Sequence, residues 1–238
     1  MCGKFTAQMT WGEYVALAGV GSDGGAGGPD AMDTAKILGT FTPMSNVPVL
    51  HLGPVHQRRI SPMRWGWYNH KAPDPRRSFS HLHARAETID SAPTWVDAFH
   101  GTRGVVFTKQ FNIGEEEPHT KKIKQWQCSR ADGEPVAIAV IYSAWELVQG
   151  PLRAFAMVTT ESCPPLAAKD GRMPALLRNE DEVAMWLGET GASGAELKAL
   201  LRPYDGSLVM REQDGPKPKG DKTPKPKKPK TDPQPGLF

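Results

Sequence analysis

The last 28 residues set the limit on what this chain can fold into. From Gly215 to Pro233, proline and lysine alternate with glycine, aspartate and threonine, and nothing in the stretch is apolar enough to bury. Such a segment cannot offset the entropy of ordering and is expected to remain disordered and extended. The folded unit is therefore expected over residues 1–210, followed by a linker over 211–233 and a short terminal peptide over 234–238. A unit of about 210 residues suits one β-rich domain. The whole chain carries 29 Lys plus Arg against 26 Asp plus Glu, a formal +3. From Arg211 onward there are 8 basic and 4 acidic residues, which leaves 21 against 22 for the rest. The domain is thus near neutral, and any nucleic-acid surface on it must be a local patch.

Within that unit, punctuation divides the chain. Trp11 to Leu17 reads as a short helix. Residues 19–30 contain too many glycines for a regular element and read as a loop. Val47 to Leu52, Gly104 to Phe111, Val136 to Ser143 and Ala154 to Thr160 read as strands. Val136 to Ile141 is almost wholly apolar, as in a strand buried on both faces. Ser91 to Val96 reads as a helix start, and Asp181 to Leu187 and Ala195 to Leu201 as two short helices. Strands and helices mix without a βαβ repeat, so the expected class is α+β. No run of eighteen apolar residues suggests a membrane span, and the start lacks the apolar core of a signal peptide.

The chemistry concentrates at the N-terminus, Met1-Cys2-Gly3-Lys4-Phe5. A small second residue favours removal of the initiator Met. The mature chain would then carry an α-amine and a thiol on Cys2. Ordinary values lie near ~8 for the amine and ~8.5 for the thiol. An aldehyde can condense with the amine to an imine, and the thiol can close a five-membered thiazolidine. An internal cysteine cannot do this. The three cysteines, Cys2, Cys128 and Cys163, lack zinc-ligand spacing and do not form a disulfide framework. A reducing cytoplasm fits them, and no metal or organic cofactor is expected.

Downstream come Arg64-Trp65-Gly66-Trp67, then His83-Ala84-Arg85-Ala86-Glu87-Thr88, then Gly171-Arg172-Met173-Pro174. With the N-terminal Cys-Gly-Lys-Phe, this order resembles the SRAP family (SOS response-associated peptidase domain) over roughly residues 1–210. The resemblance implies a mostly antiparallel, barrel-like sheet with peripheral helices. It implies a protein that attends to abasic sites in single-stranded DNA, forms a thiazolidine crosslink through Cys2, and removes its own initiator Met. The helper residues depart from the pattern. His83 stands where the family has Asn. The family's catalytic Glu falls near Ile113, with Glu115, Glu116 and Glu117 the nearest carboxylates. The family's His falls on Asp170, beside Lys169. A proton shuttle is still needed, and His83, Asp170 and Lys169 are the candidates.

By the same resemblance, Arg85 lies beside bound DNA and Lys4 replaces an Arg, losing its planar fork. Trp65, Trp67 and Tyr68 occupy a segment of base-wedging aromatics. Trp65 reads as core, whereas Trp67 is a candidate for stacking on single strands. Arg76 and Arg77, with His81, are candidate DNA contacts, and Glu87 a candidate partner for Arg85. The terminal Gln234-Pro235-Gly236-Leu237-Phe238 resembles the bacterial sliding-clamp-binding peptide, Gln-x-x-Leu-Phe. Gln234 would anchor by hydrogen bonds, and Leu237 and Phe238 would enter an apolar pocket. The expected partners are therefore abasic single-stranded DNA and a sliding clamp at the replication fork. Two other classes fit the same residues: a DNA- or clamp-binding module without crosslinking activity, and a cysteine hydrolase acting on its own N-terminus or another peptide bond.

Overall fold

The structure is a computed structural model that describes residues 2–21, 39–68, 79–117, 119–120, 122–147 and 150–213. Its elements in the first half are β1 (Lys4–Thr6), α1 (Trp11–Ala18), β2 (Thr40–Phe41), β3 (Asn46–Leu52), β4 (Arg58–Trp65), β5 (Trp67–Tyr68), β6 (Phe79–His81), β7 (His83–Arg85) and α2 (Val96–Gly101). Then follow β8 (Arg103–Thr108), β9 (Gln110–Glu116), β10 (Ile123–Arg130), β11 (Val136–Leu147), β12 (Gly150–Glu161) and α3 (Pro164–Ala167). The chain continues with β13 (Arg172–Pro174), β14 (Leu176–Leu177), α4 (Glu180–Leu187), α5 (Gly194–Leu200) and β15 (Leu208–Gln213).

Strands β12, β4, β3, β8 and β11 pair in that order, and β11 pairs back to β12, closing a barrel. A second sheet runs β15-β10-β9-β1-β2. Pairing is antiparallel except where β12 meets β4 and β7. The expected α+β, mostly antiparallel barrel with peripheral helices is therefore what the chain adopts. Every residue from Val136 to Ile141 is buried, as its apolar run requires. Around the barrel, helices start and stop where their caps dictate. Thr10 and Glu13 form a reciprocal capping box on α1, and Ser193 and Glu196 do the same on α5. Gly19, at φ 62°, ends α1 in the left-handed region that favours glycine.

Two sequence expectations need revision, and some strands were not expected. The single strand expected over Gly104 to Phe111 is two strands in two sheets. At the corner, the Thr108 hydroxyl bonds to the carbonyls of Thr6 and Gln110, and the Lys109 amide donates to the Ala7 carbonyl. This corner swings β9 out of the barrel and against β1. The helix expected to start at Ser91 begins at Val96, after a series of turns. Strands β4, β10 and β15 lacked a clear apolar alternation, because charged or amide side chains occupy most of their outer positions. The Gly-rich loop of residues 19–30 lies mostly outside the described residues. So does the tail beyond Gln213.

Candidate active site around Cys2

Cys2 sits just ahead of β1, where three elements converge. Strand β1 places Lys4 opposite Asn112 of β9. Strand β7, held in register on β12 through Met157 and His83, brings the His83 ring to Cys2. The turn between α3 and β13 brings Asp170. The Cys2 side chain is 1 % exposed, and its Sγ donates to the Lys4 carbonyl at 3.3 Å. Burial pushes the thiol up to about 11, partly offset by the main chain at Lys4 and Asn112. At neutral pH the sulfur is therefore a thiol. Cys128 and Cys163 are also buried, and burial raises both of them, Cys128 to about 12.

His83 Nε2 lies 2.6 Å from the Cys2 carbonyl oxygen and donates to it. Burial lowers the pKa of the imidazole, so it works as a neutral donor at pH 7. Its ring also meets Trp65 edge-on, at 6.1 Å between centroids. Asp170 is the carboxylate whose charge acts on both the Cys2 thiol and His83, raising each. Its Oδ1 accepts the Arg172 amide at 3.1 Å. Arg172 in turn grips Glu87 with two parallel bonds, of 2.8 and 2.9 Å, and donates to the Thr159 carbonyl at 2.7 Å. Arg172 thereby fixes the turn that presents Asp170.

The structure thus unites Cys2, Lys4, His83 and Asp170 and separates other candidates from them. Lys169 is drawn away to Glu115, at 3.3 Å, and lies over the Trp126 ring. Glu115 is held by Lys169 and by the Trp126 indole N–H at 2.8 Å, and Glu117 accepts from Thr120. Neither carboxylate serves Cys2. Ile113 is fully buried. Glu87 pairs with Arg172, correcting its expected role as the Arg85 partner. Arg85 itself is exposed. Trp67 is corrected as well: it is 2 % exposed and packs edge-on against Trp95 at 4.9 Å, so its ring belongs to the core and not to a stacking surface. Trp65 is core, as expected, stacked on Phe155 and against Phe5. Arg76, Arg77, Gln234, Leu237 and Phe238 lie outside the described residues.

Two functional-looking residues escaped the sequence reading. Asn112 is 1 % exposed, and its Nδ2 donates to Gln213 Oε1 at 3.1 Å. Lys4 Nζ donates to the same oxygen at 2.5 Å. The Asn112 Oδ1 is buried without a hydrogen-bond partner, which is costly unless something donates to it. The signal for both residues is strand register, invisible until β1, β9, β10 and β15 are paired. Two surface cavities, of about 460 and 520 Å³, lie elsewhere, by α1 and between α2 and α5. Among the described residues no cluster of His, Cys, Asp or Glu could hold a metal ion, and no helix is long and apolar enough to cross a membrane.

Residues 1–213 match the family described as SOS response associated peptidase (SRAP). The abasic site processing protein YoaM of Bacillus subtilis is 25 % identical over 213 residues, covering 86 % of this chain and 87 % of its own. The abasic site processing protein YoqW of Bacillus phage SPbeta is 27 % identical over 212 residues, covering 86 % and 88 %. The mouse abasic site processing protein HMCES is 27 % identical over 203 residues, but only 57 % of its length is matched, against 69 % of this chain. A crystal structure of a Bacteroides thetaiotaomicron protein shares the fold with a TM-score of 0.73 at 20 % identity, covering 89 % of this chain and 91 % of that one.

Proposed function

The chain belongs to the SRAP family, and from that membership and the Cys2 site we propose that it processes abasic sites in single-stranded DNA by covalent capture on Cys2. The observation that carries this reading is the convergence of His83 and Asp170 on a buried N-terminal cysteine. Hydrolysis of the Met1–Cys2 peptide bond, performed by the protein on itself, frees the α-amine. That amine adds to the aldehyde of the ring-opened sugar, and loss of one water gives an imine. The thiol then adds to the imine carbon, and its proton passes to the nitrogen. The product is a thiazolidine that joins Cys2 to the DNA, with no metal or organic cofactor.

The residues divide this work. A thiol held near 11 is a poor first nucleophile at neutral pH, so the amine attacks first. Neutral His83 orients Cys2 through its carbonyl. Asp170 relays protons at the carbinolamine and sulfur steps. Asn112, beside Ile113 where the family's catalytic Glu falls, is the polar side chain that β9 sets opposite Lys4. It can position a substrate but cannot shuttle a proton, so capture is slower than in a relative that keeps the Glu.

The same substitution favours a second reading, a DNA-binding module that no longer crosslinks. Incubation with an abasic single-stranded oligonucleotide, followed by a denaturing gel, separates the two. A heat-stable adduct lost in Cys2→Ala and kept in Cys128→Ala and Cys163→Ala supports capture. Binding without an adduct supports the module. In both readings the tail tethers the domain to a sliding clamp at the replication fork through Gln234, Leu237 and Phe238, while Arg76, Arg77 and Arg85 add phosphate contacts.

A further inference from the structure

Strand alternation assigns the faces of the barrel strands. Tyr14 of α1 packs on Phe107 from outside, so Gly104 of the same strand alternates to the inside. Register carries that inner face to His51 of β3 and Val140 of β11. From there it continues to Arg59 and Ser61 of β4, to Tyr142 of β11 and to Arg153 of β12. Arg153 lies about 13 Å along β12 from Met157, the residue that pairs with His83. These polar side chains therefore line the end of the barrel away from Cys2.

Their hydrogen bonds leave donors over. His51 Nδ1 lies 2.9 Å from the Leu52 carbonyl oxygen, and its Nε2 lies 2.9 Å from Ser61 Oγ. A carbonyl only accepts, so Nδ1 carries the ring proton and Nε2 accepts from Ser61. The Tyr142 hydroxyl, 3.4 Å from the same Nδ1, then cannot donate to it and keeps its proton for another acceptor. That ring is 9 % exposed. The charges of Arg59 and Arg153 both act on His51, and that of Arg153 acts on Tyr142 as well. Arg59 folds over Gly53, where a Cβ would meet its Cδ and Nε at 2.9 Å, and that Nε is buried without a partner. Among the described residues neither guanidinium belongs to an ion pair. An acid follows one row farther out, Glu146 opposite Pro151.

We propose that this end of the barrel binds a phosphate dianion, free or as the monoester of a small molecule, between Arg59 and Arg153 with the Tyr142 hydroxyl donating to it. Two cations crowded around one neutral imidazole are costly without a counter-charge. A dianion matches both, whereas a carboxylate would leave one unmatched. Guanidinium forks suit the oxygens of a tetrahedral anion, which accept two parallel bonds from each. The hydroxyl supplies a third direction of donation from the barrel floor. The site shares no residue with the Cys2 centre and stands whether or not Cys2 captures DNA.

Thermal unfolding of the full chain in inorganic phosphate tests this. Against chloride at equal ionic strength, about 10 mM phosphate should raise the melting temperature by about 2–4 °C. The double variant Arg59→Gln/Arg153→Gln should lose that shift. Tyr142→Phe removes a single oxygen and should weaken phosphate binding about tenfold. Adenosine 5′-monophosphate, with adenosine as its control, separates the two sources. A shift larger than that of phosphate assigns the site to an ester, and a smaller one assigns it to the free ion. No shift in the parent, or a full shift in the arginine variant, would overturn the proposal. If the arginine variant does not fold, Tyr142→Phe decides, and undiminished affinity in it would overturn the proposal equally.

Discussion

At the residue scale, the site is governed by burial and one carboxylate. Asp170 opposes ionisation of the Cys2 thiol through its charge, yet it is the proposed proton carrier. Asp170→Asn should therefore have opposite effects on two assays. Alkylation of Cys2 by iodoacetamide should speed up, because the thiol ionises more readily, while crosslinking to abasic DNA should slow by roughly tenfold or more. Parallel changes in both rates would show that Asp170 acts only on the thiol. His83→Ala should slow crosslinking by freeing the Cys2 carbonyl, and His83→Asn should restore most of the rate by supplying another neutral donor. Equal defects in the two variants would mean that the imidazole itself is needed. Away from the site, His51 is 4 % exposed, bonded to Ser61 Oγ and the Leu52 carbonyl, and depressed by burial to about 4. Its unfolded value is ~6.5. Between the two, the unfolded chain binds more protons, so stability is lost as pH falls from 6.5 towards 4, by up to about 3 kcal/mol. The urea midpoint should drop between pH 7 and pH 4.5, and less so in His51→Gln. A midpoint that drops as much in the variant would assign the acid sensitivity to other groups.

At the scale of elements, apolar runs were legible because each is local. The run Val136 to Ile141 needs no partner to be recognised, whereas the boxes Thr10/Glu13 and Ser193/Glu196, equally local, came to light only in the structure. The corner at Thr108 was not, because what splits β8 from β9 is a set of bonds to Thr6, Ala7 and Gln110. The site was half legible for the same reason. Cys2, His83 and Asp170 fall in motifs with a recognisable order, whereas Asn112 and Gln213 matter only through register with Lys4. Trp67 misled because aromatic residues near a binding segment and aromatic residues in a core look alike in sequence. One close approach in the barrel can be tested. A Cβ on Gly104 would lie 2.7 Å from Val49 Cγ1 and 2.9 Å from the Leu50 carbonyl oxygen, so β8 and β3 could not keep their spacing. Gly104→Ala should destabilise the domain by about 1–3 kcal/mol, read as a lower urea midpoint with an unchanged slope. An unaltered midpoint would show that the barrel gives way at no cost.

At the scale of the whole molecule, the sequence sets a nearly neutral first 210 residues against a basic tail. In the proposed function the former supply the covalent site, and a Pro/Lys linker extended at about 3.1 Å per residue would give a reach of roughly 60 Å. A labelled 230–238 peptide should bind a bacterial sliding clamp on the order of micromolar, and Leu237→Ala/Phe238→Ala should abolish binding while leaving capture of free abasic DNA unchanged. No binding at tens of micromolar clamp would reduce the tail to a basic arm. The account as a whole depends on Cys2 having a free amine and using it. Intact mass spectrometry of the protein after incubation with an abasic single-stranded oligonucleotide measures this most directly. The predicted species has the mass of the chain without Met1 plus that of the oligonucleotide less one water, survives heat, and is absent from Cys2→Ala. A chain that retains Met1, or an adduct that forms equally well in Cys2→Ala, would contradict it.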